Sequence, residues 1–274
     1  MKIGYQGISG AYSELAIYRH FGKSAEAVGF DISEEVFEAL EKKKIDYAML
    51  PFENSIAGSI VINYDLLLKH DMKIIAEIFL DIHHNLLVNE GANLKGIRMV
   101  CSHSHAIEQC REFIRKHNLR VMPEFDTAGA AKIVKERGRK DEAAIASEFC
   151  AEIYGLDIIE KNIETNKNNM TKFFVISNSD ELAQGLKKEK TSIAFKAKHY
   201  PGALINCLQR LAKHGINLTK LESRPVPEHN WEYVFYADFD GGIDDENVKL
   251  ALSEMVAACT FLRVLGSYAK GKKD

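Results

Sequence analysis

The chain has 274 residues and a formal net charge of −3, with 46% hydrophobic and 27% charged residues. This length is enough for two modest domains, and the charge excludes the strongly basic surface that nucleic-acid binding requires. The sequence starts without the pattern of a secretory signal and contains no apolar run long enough to span a bilayer. We therefore expect a cytoplasmic protein that acts on a small molecule, with neither nucleic acid nor membrane as a partner.

The first part of the chain, to about residue 177, alternates short apolar runs with amphipathic segments of helical length. The runs KIGY, IDYAML, IRMVCS, EAAIAS and FFVIS are predicted strands. Their alternation with helices is typical of parallel sheets with crossover helices, so this part is predicted to be α/β. Asp31 precedes the helical segment SEEVFEALEKKK, with Glu34 three positions further on, in a spacing like that of a capping box.

A polar segment, NSDELAQGLKKEK at residues 178–190, has no apolar period and is predicted to be a linker, with a boundary near residue 185. Beyond it, TSIAFKA is a predicted strand, PGALINCLQRLAKHG a helix, INLTKLESRPV and EYVFYADFDG strands, DENVKLALSEMVAAC a helix and FLRVLGSYA a strand. This βαββαβ order is the ferredoxin-like plan. Apolar residues recur at helical spacing in the first of these helices, which predicts that one of its faces packs on the sheet.

The cysteines and histidines give no sign of a metal site. The five cysteines are odd in number, scattered and never arranged as CxxC, which predicts buried reduced thiols. His103 and His105 form an HxH pair, and His83 and His84 are adjacent, but the pair lacks a nearby carboxylate or third ligand. We therefore expect no metal.

Six segments, in order along the chain, resemble motifs of one family, the prephenate dehydratases. YQGISGAYSELA is similar to the family's glycine-rich first loop, PFENSIAGS to its ENS motif and SHSHAIEQC to its SHPQALxQC segment, with His105 in place of the usual glutamine. DTAGAAK is similar to its threonine-bearing loop and NNMTKFFVI to its N-x-T-R-F catalytic motif. PGALINCLQRLAKHGINLTKLESRP resembles the phenylalanine-binding part of a regulatory ACT domain. Each segment alone is a weak signal, but the six together span almost the whole chain.

The resemblance implies a two-lobed catalytic domain like a periplasmic binding protein, with substrate between the lobes, followed by a ferredoxin-like ACT domain. The catalytic domain is then residues 1–180, with lobe one at about 1–78 plus 162–180 and lobe two at about 79–161, and the ACT domain is residues 190–270. The implied reaction is the decarboxylating dehydration of prephenate to phenylpyruvate in phenylalanine biosynthesis, without a cofactor. L-Phenylalanine is the implied feedback inhibitor, bound between ACT domains of a homodimer or homotetramer.

Thr171 stands where the family has its catalytic threonine. Loss of hydroxide limits this reaction, and a hydroxyl group can donate a hydrogen bond to the leaving oxygen without being a nucleophile. Taken alone, the same threonine could instead cap backbone at the start of a strand. Asn169 could position Thr171, contact substrate or serve as a turn residue, and Lys172, in place of the family's arginine, could pair with an anion or face solvent.

The remaining site residues follow from the other motifs. Gly7 and Gly10 would let backbone approach an anion at the start of the next helix. The ENS segment follows a strand, where α/β sheets collect ligands, although it could also be a polar turn. Asp126 is a predicted helix cap beside Thr127. The implied substrate-binding residues are Tyr12, Ser13, Glu53, Asn54, Ser55, Thr127, Asn169, Lys172 and Phe173.

The substrate would carry two carboxylates with different fates. The side-chain carboxylate stays charged, so charge-assisted binding to it is useful. The ring carboxylate leaves as carbon dioxide, and strong pairing there would stabilise the ground state more than the transition state. We therefore expect a weaker, drier site for the ring carboxylate.

The C-terminal segment carries an implied phenylalanine site. Taken alone, its residues 222–225 would be only a strand end with a turn. Two other functions stay open: arogenate dehydratase, because YQGISGAYSE and GSIVINYDLLLKH resemble plant enzymes of that type, and a non-catalytic amino-acid sensor. The implied effector-binding residues are Gly202, Ala203, Leu204, Asn217, Glu222, Ser223 and Arg224.

Overall fold

The computed structural model describes residues 1–179, 185–226 and 232–272. Lobe one begins with β1 Lys2–Gln6, α1 Tyr12–Phe21, β2 Glu26–Phe30, α2 Ser33–Glu41, β3 Tyr47–Asn54, β4 Gly58–Ser59, α3 Val61–Lys69 and β5 Lys73–Asp81. Lobe two follows with β6 Asn85–Val88, a 3-10 turn Leu94–Gly96, β7 Met99–His103, α4 Ser104–Gln109, α5 Arg111–Lys116, β8 Arg120–Glu124, α6 Thr127–Arg137, β9 Glu142–Ala146, α7 Glu148–Tyr154 and β10 Asp157–Glu160. The chain then returns to lobe one as β11 Met170–Ser177.

The C-terminal unit consists of β12 Lys190–Ala197, α8 Ala203–Lys213, β13 Leu218–Pro225, β14 Tyr233–Asp240, α9 Glu246–Ala258 and β15 Cys259–Tyr268. Its strands lie in the order β13-β14-β12-β15, and α8 and α9 pack on one face of them. This arrangement confirms the predicted ferredoxin-like plan. Residues 180–184, in the middle of the predicted linker, lie outside the described residues.

Both lobes are α/β, as predicted, but their sheets are mixed rather than parallel. In lobe one, β1 is parallel to β2 and β3, whereas β11 is antiparallel to both β3 and β5. In lobe two, β7 is parallel to β8 and β9, whereas β6 is antiparallel to β9 and β10. The reason for the antiparallel strand in lobe one is the chain path, because β11 enters that sheet from lobe two and not from a crossover helix.

The capping arrangement predicted at Asp31 is wrong. Helix α2 begins at Ser33, after Ile32, and no side chain caps it. The Ser33 hydroxyl group donates instead to Gln6 at the end of β1, at 2.8 Å. Glu35, and not Glu34, reaches back to accept a hydrogen bond from the Asp31 N–H group at 3.2 Å.

Lobe one and the C-terminal unit share one sheet. Strand β15 lies parallel to β5 with Gly266 opposite Ile74, which gives ten strands in one sheet. A Cβ atom at Gly266 would lie 2.2 Å from the Ile74 carbonyl oxygen, so only glycine permits this approach. The core is also shared, because Tyr64 of α3 packs on Tyr236 of β14 with their ring centroids 5.0 Å apart.

Two further expectations can be compared with the structure. All five cysteines are buried and free, as predicted. In the parts of the chain that the structure describes, no helix is long and apolar enough to cross a membrane.

Candidate active site

A cavity of about 500 Å³ lies between the two lobes. Its volume is in the range of small-molecule sites. Lobe one contributes the start of α1, the end of β3, the segment 57–60 and β11, and lobe two contributes the starts of α4 and α6. The predicted site residues that line this cavity are Tyr12, Ser13, Asn54, Thr127, Thr171 and Phe173.

Thr171 and Asn54 face each other across neighbouring strands β11 and β3. The side-chain oxygen of Asn54 accepts hydrogen bonds from the N–H groups of Ile56 and Ala57, at 3.0 and 2.9 Å. Its amide nitrogen is therefore the donor, and this nitrogen lies 3.0 Å from the Thr171 hydroxyl oxygen. Because Thr171 accepts this bond, its own hydroxyl hydrogen remains available to be donated into the cavity.

A chain of hydrogen bonds continues from Asn54 to lobe two. Asn54 also donates to the side-chain oxygen of Asn169 at 2.8 Å, so that the Asn169 amide nitrogen donates to Gln109 at 3.0 Å. The same oxygen of Gln109 lies 2.7 Å from Nε2 of His84, which must then carry a hydrogen. Nδ1 of His84 faces the Tyr12 hydroxyl group at 3.1 Å.

Burial lowers the pKa of His84, in spite of the opposing effects of Gln109 and Glu164. The imidazole is therefore neutral, with its ring hydrogen on Nε2, where Gln109 accepts it. Gln109 and His84 were not among the predicted catalytic or substrate-binding residues. The position of Gln109 in SHSHAIEQC was the one available signal, since that segment was matched to a family motif.

Lys172 lies on the opposite face of the sheet from Thr171, because successive side chains of a strand alternate. Its ammonium group lies 2.8 Å from Glu53 and 3.0 Å from Asp238 of β14, over the ring of Phe174. Burial alone would lower the pKa of Lys172, but the two carboxylates outweigh it and hold the pKa above its ordinary value. Of the predicted substrate-binding residues, Lys172 and Glu53 do not line the cavity.

Ser55, another predicted substrate-binding residue, does not line the cavity either. Its hydroxyl group donates to the Asn168 carbonyl group and accepts from the Met170 N–H group, at 3.1 and 3.0 Å. Asn169 is almost fully buried and lies behind Thr171. Ser55 and Asn169 therefore fix the start of β11 from two sides.

The described residues that line the cavity include no lysine or arginine. The first turns of α1 and α6 border the cavity, and the leading N–H groups of a helix, which have no partner within it, carry partial positive charge. Asp126 caps α6 as predicted, by accepting a hydrogen bond from the Gly129 N–H group. The N–H group of Gly10, by contrast, is bound to Glu14 at 2.6 Å and is not free to bind an anion.

The predicted effector residues fall into two groups. Gly202, with φ of 86°, Ala203 and Leu204 line a cavity of about 950 Å³ at the start of α8. Glu222 and Arg224 point instead toward lobe one, where Glu222 accepts a hydrogen bond from Ser59 at 2.7 Å and Arg224 pairs with Asp65 at 3.0 Å. Asn217 is bound to Asp240 at 3.1 Å, and Ser223 is exposed on the other side of β13. Within one chain, these seven residues do not surround a single cavity.

Comparison with known proteins identifies close relatives. The profile of the family described as prephenate dehydratase matches residues 3–181. The chain is 41% identical over 277 residues to "Arogenate dehydratase/prephenate dehydratase 2, chloroplastic" of Arabidopsis thaliana, covering 98% of this chain and 72% of that protein.

Two solved structures resemble the chain over almost its whole length. The prephenate dehydratase of Arthrobacter aurescens in complex with L-Phe has a TM-score of 0.91 and 29% identity, and 98% of this chain aligns with 90% of that one. GqqA, described as a novel type of quorum quenching acylase, has a TM-score of 0.89 and 32% identity, with 98% and 97% of the two chains covered.

Proposed function

The chain belongs to the prephenate dehydratase family of hydro-lyases, and from this membership we propose that it converts prephenate to phenylpyruvate, carbon dioxide and water. The observation that carries the proposal is the position of Thr171, which lines the cavity between the lobes and whose hydroxyl oxygen accepts a hydrogen bond from Asn54, so that its hydrogen can be donated to a substrate.

The reaction breaks two bonds that join the ring to its substituents. The electrons of the bond to the ring carboxylate move into the ring as carbon dioxide leaves, and the carbon–oxygen bond at the opposite ring carbon breaks. Thr171 donates a hydrogen bond to that oxygen as negative charge develops on it, which lowers the barrier to departure of hydroxide. One proton, ultimately from solvent, is consumed to give water, and the ring becomes aromatic.

The contacts of Thr171 also separate this proposal from an acylase reaction. A threonine nucleophile needs a base to accept its proton. The hydroxyl group of Thr171 is bound to Asn54, and a side-chain amide is not a base. The geometry therefore favours hydrogen-bond donation to a leaving group over nucleophilic attack, although the fold is shared with GqqA.

Arogenate is the second candidate substrate. It carries the same ring hydroxyl and ring carboxylate as prephenate, so the same residues would act on it, with phenylalanine as the product. The observation in its favour is the Arabidopsis relative, whose name includes both activities.

We also propose that L-phenylalanine inhibits the enzyme through the C-terminal unit, which acts as an ACT domain (about 190–270) in an assembly of at least two chains. The Arthrobacter relative was solved with L-Phe. Within this chain, Glu222 of the implied effector site accepts a hydrogen bond from Ser59, which lines the substrate cavity. A ligand that moves β13 would thus act directly on a wall of the cavity. A cytoplasmic location is part of this proposal and agrees with five free, buried cysteines.

The test is turnover of prephenate and of arogenate by the purified protein, each with and without L-phenylalanine. We expect phenylpyruvate from prephenate, at a rate that phenylalanine lowers. A preference for arogenate would keep the mechanism and change the substrate. Binding of phenylalanine without turnover of either compound would contradict the proposal and leave an amino-acid sensor.

A further inference from the structure

If the substrate is prephenate, its negative charge is not balanced by any lysine or arginine that lines the cavity in the described parts of the chain. The substrate brings two carboxylates. The lining side chains that can become cationic are the histidines His84, His103 and His105. We propose that His105 takes up a proton when substrate binds and pairs with a substrate carboxylate, while neutral His103 donates a hydrogen bond beside it. This inference rests on the proposed function.

His84 cannot serve as the cation. It is only 2% exposed, and both of its ring nitrogens already face partners, Gln109 at 2.7 Å and Tyr12 at 3.1 Å. Protonation would charge a ring that is almost fully enclosed, and the cost of desolvating that charge opposes it. His84 is therefore a fixed neutral part of the wall.

His103 is placed to act as a neutral donor. It ends β7 and caps α4, where its Nδ1 accepts a hydrogen bond from the His105 N–H group at 3.3 Å. The ring hydrogen is then on Nε2, the nitrogen that is free to donate. Burial lowers the pKa of His103, the neighbouring His105 lowers it further, and together they outweigh the opposing effect of Asp126. These effects keep His103 in the neutral form.

His105 differs from His103 in the two properties that a binding cation needs, access to solvent and a ring that caps no helix. Its side chain is exposed in the first turn of α4, and it lines the same cavity, with its ring centroid 5.2 Å from that of His103. A proton on it is stabilised when a carboxylate arrives, and a charge-assisted bond of this kind is stronger than a neutral one. The side-chain carboxylate of prephenate keeps its charge throughout the reaction, so a charge-assisted bond to this group is useful.

Several acidic groups lie on the elements around the pair. Asp126 lines the cavity and caps α6 through the Gly129 N–H group. Glu124 of β8 lies beside His103 in the strand register, and Glu108 of α4 pairs with Arg111 at 2.8 Å. On β9, which also packs on α4, Glu142 pairs with Arg137 and Arg139.

The first test is the pH dependence of KM for prephenate in His105→Gln, which restores the family's glutamine, and in His117→Gln as a control. His117 lies in the same lobe, with its ring tilted by 39° against that of Phe113, and outside the cavity. One proton taken up on binding makes KM rise by up to about tenfold per pH unit above the titration range of histidine. We expect this rise in the native protein and the control, and a flat KM at the high value in His105→Gln.

His103→Asn separates the two roles. Asparagine can still cap α4 but lacks the Nε2 donor, so KM should rise several-fold at every pH while its slope with pH remains. A slope lost in His103→Asn but kept in His105→Gln would overturn the assignment of the charge to His105.

A second readout is proton uptake on binding, measured by calorimetry in two buffers of different ionisation enthalpy. The probe is prephenate with the Thr171→Ala protein, which should bind it without rapid turnover. We expect uptake of up to about one proton near pH 7.5 and none when His105→Gln is added. Normal turnover with a pH-independent KM would overturn this inference alone. Absence of both turnover and binding of prephenate would overturn the proposed function as well.

Discussion

Replacing Asp238 by asparagine removes one of the two carboxylates around the Lys172 ammonium group. Asp238 belongs to β14 of the C-terminal unit, is 1% exposed, and accepts hydrogen bonds from Lys172 at 3.0 Å and Ser192 at 2.6 Å. Lys172 follows Thr171 directly in β11. The substitution therefore tests whether the C-terminal unit holds the catalytic strand in place through a buried charge.

The expected cost follows from what the variant leaves behind. Removing one partner of a buried ion pair costs about 3–5 kcal/mol, because the other charge stays buried. Lys172 keeps Glu53 at 2.8 Å, and Glu53 is partly exposed, so we expect the lower end of that range, about 3 kcal/mol. For a chain of this size, such a loss lowers the melting temperature by roughly 6–12 °C.

The assay is thermal unfolding together with kcat, and Asp240→Asn is the matched control. Asp240 lies two residues further along β14, but its partner Lys270 is half exposed. Exposed pairs contribute about 1 kcal/mol or less, so this variant should melt close to the native protein. In Asp238→Asn we expect a fall in kcat as well, because β11 loses a fixed point. Equal melting temperatures for the two variants would refute the reasoning.

Four further predictions concern single side chains. Thr171→Ala should lower kcat by about 10²–10⁴-fold, with Thr171→Ser recovering part of it, because the hydroxyl group is the donor. Asn54→Asp should also lower kcat without unfolding, because the introduced carboxylate would accept the Thr171 hydrogen; circular dichroism and turnover test this. Glu222→Ala should weaken inhibition by phenylalanine in the turnover assay more than it changes kcat. Burial would raise the pKa of Glu53, but Lys172 and Lys220 outweigh it and lower the pKa. The Glu53 carboxylate therefore contributes fully to stability above about pH 4.5, and this contribution is lost as the pH falls. In Glu53→Gln the melting temperature should depend less on pH in this acid range.

Local patterns predicted the strands well because each apolar run carries its own signal. The run FFVIS forms most of the buried strand β11. The βαββαβ order of the C-terminal unit was predicted from apolar runs alone, without any contact information. Thr171 was found through a motif and not through periodicity. The alternation of a strand, however, was also in the sequence, and it places Thr171 and Lys172 on opposite faces. Applied at that point, it would have predicted that Thr171 and Lys172 do not line the same cavity.

Other features depend on partners far apart in the chain. Nothing near Lys172 indicates that its second carboxylate is Asp238, 66 positions away. The bonding chain from Asn54 through Asn169 to Gln109 likewise joins three separate segments. The joining of β15 to β5 rests on one close approach at Gly266. Because glycine in a strand also marks bulges and tight bends, Gly266 alone did not indicate a neighbouring strand.

The shared sheet imposes an order of events on synthesis of the protein. Strand β5 leaves the ribosome long before β15, and until β15 arrives its edge has no neighbour on that side. The side chains of Tyr64 and Phe174 also stay uncovered until Tyr236 and Tyr268 have been synthesised and pack on them. A nascent chain with lobe one already formed therefore presents an open strand edge beside apolar side chains, the combination that invites aggregation. We expect a chaperone to be needed most during translation of the C-terminal unit.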